Sequence, residues 1–306
     1  MVAARTLRVP GDLLDQPVYS HCRLAQGCVV SYASQRGMTA QRVLVTELLV
    51  VHVRRGLKRL HSCHDLDARD VPAGQLVVIP PGLCFMSELV EGKGVSFTDY
   101  SSTVIALSGD FLADSSLEPQ HQPRQAGGAP EGPPDGLPVG PWAPLVVEPQ
   151  PYLDSVLRTL PTKLASAPDD RLLELQLREL LITLEHSSAA PLLARVAREV
   201  RSDADARLRS VVTRHRGAPI QLDEMATLCG RSLSSFKRDF QRLFGTSPGR
   251  WQQDMRLEHA AALLRRRAHN VTQVASMAGF GDPSSFIRAF RAKYGITPKQ
   301  LQLHGA

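Results

Sequence analysis

The sequence predicts a two-domain α+β protein, with a β-rich N-terminal domain and an all-α C-terminal domain. Short runs of β-branched residues separated by Gly and Pro fill residues 18–112, a spacing typical of a sandwich or barrel. From residue 145 onward, the apolar residues recur at helical intervals instead. Residues 221–301 also contain two copies of one sequence pattern. The length of 306 residues is sufficient for a hydrophobic core in each domain.

The repeated pattern in residues 221–301 is a duplication of a short supersecondary unit. The copies match at an offset of 49 residues and then, after a slip of one residue, at an offset of 50. The matching segments are 225–230 with 274–279, 234–240 with 284–290, and 244–248 with 294–298. Because two copies are too few for a solenoid, we interpret them as a duplicated pair of helices.

Each copy is predicted to form a helix, a tight turn and a second helix. Gly230 and Gly279 stand where a helix C-cap favours a residue with positive φ. A Ser or Asp that can cap the next helix follows each glycine, and two phenylalanines four residues apart then form an apolar face. A short turn containing Gly between two helices is the helix-turn-helix signature, whose second helix enters the major groove of DNA.

A further helix is predicted between the copies, over residues 248–267. Its length would be about 30 Å at about 1.5 Å per residue, close to the roughly 34 Å of one turn of B-DNA. A plain helical bundle would bury the same phenylalanines, but it gives no reason to leave Lys237, Arg238 and Arg288 on the outer faces of equivalent helices. Residues 191–306 contain 20 Lys and Arg against 9 Asp and Glu, which suits phosphate neutralisation, although a solvated basic face would also produce it. We therefore predict binding to double-stranded DNA.

The C-terminal region resembles the DNA-binding domain of the AraC/XylS family of transcription regulators, in which one long helix joins two helix-turn-helix units. The closing pattern of that family stands here as Gly279 and Phe280, then the aromatic segment 286–290, then segment 295–298. The resemblance implies four core positions, Phe236, Phe240, Phe286 and Phe290. It implies base-reading residues on the exposed face of each second helix, namely Ser234, Lys237, Arg238, Ser284, Ser285, Ile287 and Arg288. Pro283 occupies a position where relatives often carry a polar reader.

The N-terminal strands are predicted in a definite order. A continuous strand covers 43–53, Gly56 follows, and a returning strand covers 57–60. Further strands are predicted over 75–79, 95–100 and 103–107. This order resembles the small cupin-type barrel that precedes the DNA-binding domain in many AraC-family regulators. The predicted domains are a cupin-like β-barrel regulatory domain over 1–116, a Pro/Gly-rich disordered loop over 117–144, a helical dimerisation or packing segment over 145–190, and an AraC-type DNA-binding domain over 191–306.

The segment 145–190 is predicted to contain two helices, over 152–160 and 171–185. The second helix carries a stripe of leucines at +4, +3 and +4 spacing, namely Leu173, Leu177, Leu180 and Leu184. One interpretation is packing of this stripe against the barrel. The other is a dimer seam, in which this helix pairs with the same helix of a second copy. Helices at this place form such seams in the AraC/XylS family.

The sequence does not predict an enzyme, a cofactor or a metal site. His52, His61, His64 and Asp65 are the candidate ligands, but they lack the paired-histidine pattern of metal-binding cupins. The five cysteines are scattered, so they indicate neither a disulfide framework nor the tight zinc cluster of a repair methyltransferase. The alternative interpretation is a cupin metal enzyme or a ligand sensor with an appended DNA-binding domain. The metal content of the purified protein distinguishes the metal enzyme from the other interpretations.

Several motifs are similar to the ExsA-type activators of type III secretion genes. They are the segment 233–237, the start of the long helix at Ser247 and Trp251, and the leucine-rich segment 172–184. That resemblance implies an activator that self-associates through its N-terminal domain and is controlled by a protein anti-activator. The implied partners are promoter DNA, RNA polymerase and a second copy of the chain. The N-terminus shows no signal-peptide core, and no apolar run approaches a membrane span, so we expect a cytoplasmic protein.

Overall fold

The computed structural model describes residues 6–34, 38–61, 68–89, 91–92, 95–96, 100–114, 143–148, 151–166, 169–216, 218, 220–267 and 269–304. The chain divides into two compact units, Met1–Asp203 and Ala204–Ala306. Nearly all of the predicted Pro/Gly-rich loop at 117–144 lies outside the described residues. The N-terminal unit contains strands and helices, and the C-terminal unit contains helices, so the α+β prediction for two domains is confirmed.

The strands, in chain order, are β1 (Leu7–Val9), β2 (Ser20–Leu24), β3 (Gly27–Ser34), β4 (Met38–Val45), β5 (Leu48–Arg55), β6 (Leu57–His61), β7 (Ala68–Pro72), β8 (Leu76–Ile79), β9 (Gly82–Leu89), β10 (Glu91–Gly92), β11 (Val95–Ser96), β12 (Tyr100–Leu107) and β13 (Leu145–Val147). They form a five-stranded sheet in the order β1-β4-β9-β6-β7, a six-stranded sheet in the order β13-β8-β5-β12-β3-β2, and the small β10-β11 pair. The only parallel neighbours among these described ladders are β1 and β4.

The helices, in chain order, are α1 (Gly11–Leu14), α2 (Gly109–Asp114), α3 (Pro151–Ala165), α4 (Asp170–Glu185), α5 (Ala190–Arg201), α6 (Ala204–Arg214), α7 (Leu222–Leu228), α8 (Leu233–Phe244), α9 (Pro248–Arg265), α10 (Val271–Met277), α11 (Pro283–Tyr294) and α12 (Pro298–His304). In the parts of the chain that the structure describes, none of these helices combines the length and the hydropathy that crossing a membrane requires.

The two larger sheets pack face to face around a common core. Alternate residues of β5 point to opposite sides, so Val51 lies in the core between the sheets while Val50 lies in a second core beneath the helices. No ladder joins the two sheets within the described ranges. The N-terminal domain is therefore an open two-sheet sandwich, and the predicted closed barrel is not observed.

The predicted continuous strand over 43–53 is two strands in different sheets. β4 ends at Val45 and β5 begins at Leu48, and the chain crosses between the sheets in the two intervening residues. Thr46 marks the crossing, because its backbone N–H and its hydroxyl both donate to the carbonyl of Val9, at 3.0 and 3.1 Å. Both strands are buried, so the apolar run continues through the break and conceals it in the sequence.

Helices α3, α4 and α5 cover the outer face of the six-stranded sheet. Each of the four leucines of the predicted stripe on α4 is buried within its own chain, with 0% exposure. Three of them belong to the core formed with that sheet, namely Leu177, Leu180 and Leu184. The stripe therefore packs within its own chain, which is the first of the two interpretations made from the sequence. Helix α5 contributes Leu193 and Val196 to the same core, so the division between the units falls after Asp203 rather than at the predicted 190/191.

Candidate nucleic-acid interface

The first helix-turn-helix unit consists of α7, a turn and α8. Gly230 adopts a φ of 65°, and the N–H of Arg231 reaches back to the carbonyl of Ala226 at 2.9 Å. This geometry closes a helix at a left-handed glycine, a conformation that a side chain would strain. Ser232 then caps α8, because its hydroxyl accepts the N–H of Ser235 at 3.3 Å.

The second unit repeats this construction with α10, a turn and α11. Gly279 adopts a φ of 77°, and the N–H of Phe280 donates to the carbonyl of Ala275 at 2.9 Å. Asp282 caps α11 and accepts the N–H of Ser285 at 2.8 Å. Hydrogen bonds from the side chain and backbone of Ser285 hold the pKa of Asp282 below its ordinary value. The duplication seen in the sequence is therefore a duplication of backbone structure.

The predicted base-reading residues all lie exposed on the second helix of a unit. Arg238 keeps 76% of its side chain exposed and approaches Asp239 at 3.6 Å. Arg288 donates a hydrogen bond to the hydroxyl of Ser285 at 3.3 Å. The exposed set comprises Ser234, Lys237 and Arg238 on α8, and Ser284, Ser285, Ile287 and Arg288 on α11.

The opposite face of each second helix carries an aromatic core. Phe236, Phe240, Phe286 and Phe290 are completely buried, as predicted. In the first unit, the ring of Phe240 lies 5.7 Å from the ring of Trp251, which stands near the start of α9. Helix α9 contributes Leu257, Leu264 and neighbouring residues to the core of the second unit. Its 18 residues span about 27 Å at about 1.5 Å per residue.

Ion pairs tie the first reading helix, α8, to α6. Asp205 on α6 accepts hydrogen bonds from Arg242 Nη2 at 2.7 and 2.9 Å, one to each carboxylate oxygen. Arg231, in the turn, pairs with both Asp205 and Asp239. The hydrogen bond from Arg242, together with the positive charges around it, lowers the pKa of Asp205. These contacts join α8 to α6 on the side of the helix away from Lys237's free end.

The second reading helix, α11, is tied instead to α9. Lys293 Nζ lies 3.3 Å from Asp254 Oδ1 and 3.2 Å from Glu258 Oε1. Glu258 also pairs with Arg216, at 3.0 Å, just beyond α6. The two units therefore share a backbone plan but differ in the ion pairs that orient their reading helices.

Two further exposed residues lie on the same helix faces as the predicted base-reading residues. Gln241 lies one turn beyond Lys237 on α8, and Arg291 lies one turn beyond Ile287 on α11. They occupy equivalent positions, since the offset between them is again 50 residues. Continuing the helical spacing by four residues from the predicted readers would have found both. Arg291 adds a second cation to the face of α11.

The candidate metal ligands are not brought together by the described structure. His52 is buried on β5, and burial lowers its pKa. His64, Asp65 and the side chain of His61 lie outside what the structure describes. Among the described residues, no group of three or more His, Cys, Asp and Glu side chains could hold a metal ion, and the four cysteines there are free thiols.

Comparison with known proteins agrees with this geometry. A family described as "Helix-turn-helix domain" matches residues 225–303. The virulence regulon transcriptional activator VirF of Yersinia enterocolitica is 30% identical over 132 residues, which are 43% of this chain and 49% of VirF. The HTH-type transcriptional regulator ExsA of Pseudomonas aeruginosa is 29% identical over 126 residues, 41% of this chain and 45% of ExsA. The matches thus span about half the length of these relatives.

Among solved structures, a transcriptional regulator with an AraC-type DNA-binding domain from Chromobacterium violaceum is 24% identical. The match covers 34% of this chain and 92% of that chain, with a TM-score of 0.31. The C-terminal unit of the present chain is a double helix-turn-helix domain, which is a DNA-binding class. The resemblance of this unit to AraC-type regulators, predicted from the sequence, is confirmed.

Proposed function

We propose that this protein is a sequence-specific transcription regulator that places α8 and α11 in the major groove of double-stranded DNA. The observation that carries the proposal is the paired construction of the two units, each with a capped, basic second helix that buries its aromatic face and exposes the other. Two such helices joined by a helix of about 27 Å suit adjacent major-groove segments on one face of the duplex. The names of VirF and ExsA support a regulatory role, and VirF is named as an activator.

The test is binding to a site selected from random duplex DNA, followed over a series of salt concentrations. Lys237→Ala and Arg238→Ala should each weaken specific binding by about 1–3 kcal/mol, because each side chain can reach a base edge. Arg198→Ala is the matched control, since it removes one exposed cation from α5 in the other unit. Equal affinity of the wild type and both α8 variants at every salt concentration would contradict the assignment.

We further propose that the protein self-associates through the outward face of α4 rather than through the buried leucine stripe. Leu172, Leu175 and Ile182 are 57%, 63% and 52% exposed, an unusual density of apolar surface on one helix. Antiparallel pairing about a two-fold axis between Arg178 and Glu179 would bring Leu175 of one copy against Ile182 of the other. It would also bring each Arg178 against Glu179 of the second copy, so the face is complementary to itself in charge and in hydrophobicity.

Light scattering of the double variant Leu175→Lys and Ile182→Lys tests this surface. We expect a folded monomer, because the change affects exposed positions. Leu177→Lys and Leu180→Lys should instead unfold the N-terminal unit, because these leucines have 0% exposure within the chain. A Leu175 and Ile182 double variant that remains dimeric would show that another surface joins the copies.

We propose promoter DNA and RNA polymerase as the partners of an activator of this architecture. Membership of the ExsA-type branch, with type III secretion genes as targets and a protein anti-activator as controller, rests on the motifs at 233–237 and 172–184. Footprinting of bound sites across the genome tests both points, because the position of each site relative to its promoter separates activation from repression. Sites that overlap or follow the transcription start would indicate a repressor.

A further inference from the structure

The two sheets of the N-terminal unit enclose a cavity of about 400 Å³. Its walls are mainly aliphatic, from β1, β4, β5 and β9, with Val43, Val51 and Met86 as examples. A gap of this size exceeds the voids left by ordinary side-chain packing and falls in the range of small-molecule sites. The exposed residues Asp15 and Gln16 line one part of it, so that part is the entrance.

Polar side chains are buried in another part of the wall. Lys58 and Glu88 are 5% and 4% exposed, and Lys58 Nζ lies 3.2 Å from Glu88 Oε1. Tyr32 donates its hydroxyl hydrogen bond to Glu88 Oε2 at 2.8 Å. Both carboxylate oxygens are therefore occupied, and the positive charge of Lys58 is already neutralised inside the protein.

Donors remain at the same wall for an oxygen atom of a bound molecule. An ammonium carries three N–H donors. Of those of Lys58, Glu88 takes one and the hydroxyl of Tyr100 lies close to another, which leaves one. Ser102 also lines the cavity and is completely buried. Its hydroxyl lies close to the hydroxyl of Tyr100 but forms no hydrogen bond of good geometry with a described residue. A buried hydroxyl without a well-formed hydrogen bond is costly, so the position suits a ligand that bonds to it.

We propose that this cavity binds a small, uncharged, mainly apolar molecule whose hydroxyl or carbonyl oxygen accepts hydrogen bonds from Lys58 and Ser102. A carboxylate is disfavoured because Glu88 already supplies the one negative charge that Lys58 requires, and Asp12 and Asp15 line the cavity as well. An ammonium group is disfavoured because it carries only donors, and both oxygens of Glu88 at the polar wall already accept hydrogen bonds. This assignment is independent of DNA binding, and its test does not use DNA.

The experiment measures binding of matched probe sets to the full-length protein by calorimetry. Each set has one skeleton, either benzyl, naphthylmethyl or octyl, carried as the alcohol, the corresponding carboxylate and the corresponding ammonium. We expect the alcohol to bind at least tenfold more tightly than its charged counterparts in at least one set, at one site per chain. Absence of binding by every alcohol at millimolar concentration, or preference for a charged member in all sets, would overturn the proposal.

Two variants locate the site and test whether the Lys58–Glu88 pair decides which ligand charge is preferred. Glu88→Gln should reverse the preference, so that the carboxylate gains at least tenfold over the alcohol, because Lys58 then lacks its counter-ion. Ser102→Ala is small enough to preserve the fold, and it should weaken the alcohol about three- to tenfold. Ser87→Ala is the matched control, since Ser87 is also buried, next to Glu88 on β9, but does not line the cavity. Equal losses in Ser87→Ala and Ser102→Ala would place the binding elsewhere, and this comparison holds even if Glu88→Gln does not fold.

Discussion

The two aromatic cores of the DNA-binding domain are expected to differ in their contribution to stability. Phe240 and Phe290 are equivalent residues and both are completely buried. Phe240 has three aromatic neighbours, Phe236, Phe244 and Trp251, with ring centroids at 5.7, 4.4 and 5.7 Å. Phe290 has two among the described ring pairs, at 5.5 and 4.6 Å.

Truncation to alanine removes the buried ring and leaves a cavity. Each such change costs about 3–5 kcal/mol in a well-packed core, and each aromatic pair adds about 0.5–1.5 kcal/mol beyond the buried area. Phe240→Ala should therefore lower the free energy of unfolding more than Phe290→Ala does, by about 0.5–1.5 kcal/mol, the contribution of one aromatic pair. Since a domain of this size has a total stability of about 5–15 kcal/mol, both variants should remain folded only at moderate temperature.

Urea unfolding followed by tryptophan fluorescence measures the two costs. The chain has two tryptophans, Trp142 and Trp251, so a Trp142→Phe background makes Trp251 the reporter of the C-terminal unit. The urea slope should stay constant across the series, so that midpoints report stability alone. A cost for Phe290→Ala that equals or exceeds the cost for Phe240→Ala would refute the reasoning from ring contacts.

Three further predictions concern DNA reading, acid stability and metal content. A base-substitution scan of the bound site should find most losses of binding free energy, about 1–3 kcal/mol each, under the first helix-turn-helix unit. Arg288 should be the main polar reader of the second helix-turn-helix unit. Comparable losses under both helix-turn-helix units would disprove this asymmetry. Because the pKa of Asp205 is lowered in the folded state, its stabilising contribution is present above about pH 4 and is lost as the pH falls further. Asp205→Asn should therefore reduce the acid dependence of urea unfolding between pH 7 and pH 3, and an unchanged dependence would contradict it. Elemental analysis of the purified protein should find no stoichiometric metal. One equivalent of bound metal would support the alternative interpretation, a cupin metal enzyme with an appended DNA-binding domain.

The N-terminal unit shows where sequence reasoning stops. Alternation and Gly/Pro spacing predicted the strands, but the buried run over 43–53 carries no mark of its change of sheet. Thr46 makes that turn through bonds to Val9, a residue distant in sequence. Similarly, Lys58 and Glu88 are 30 residues apart, and no local pattern predicts that they pair beside a cavity.

For the C-terminal unit, the sequence alone determined the duplicated helix pairs, the glycine turns, the buried phenylalanines and the exposed faces of α8 and α11. These are local properties, since helical spacing and capping depend on residues a few positions apart. The tertiary structure decided which apolar face of α4 is buried and which is exposed, because both faces carry leucines at helical spacing. It also decided how each reading helix is held, through Asp205 for α8 and through Asp254 and Glu258 for α11. Such ion pairs join distant segments, and only the folded chain brings their charges within reach of each other.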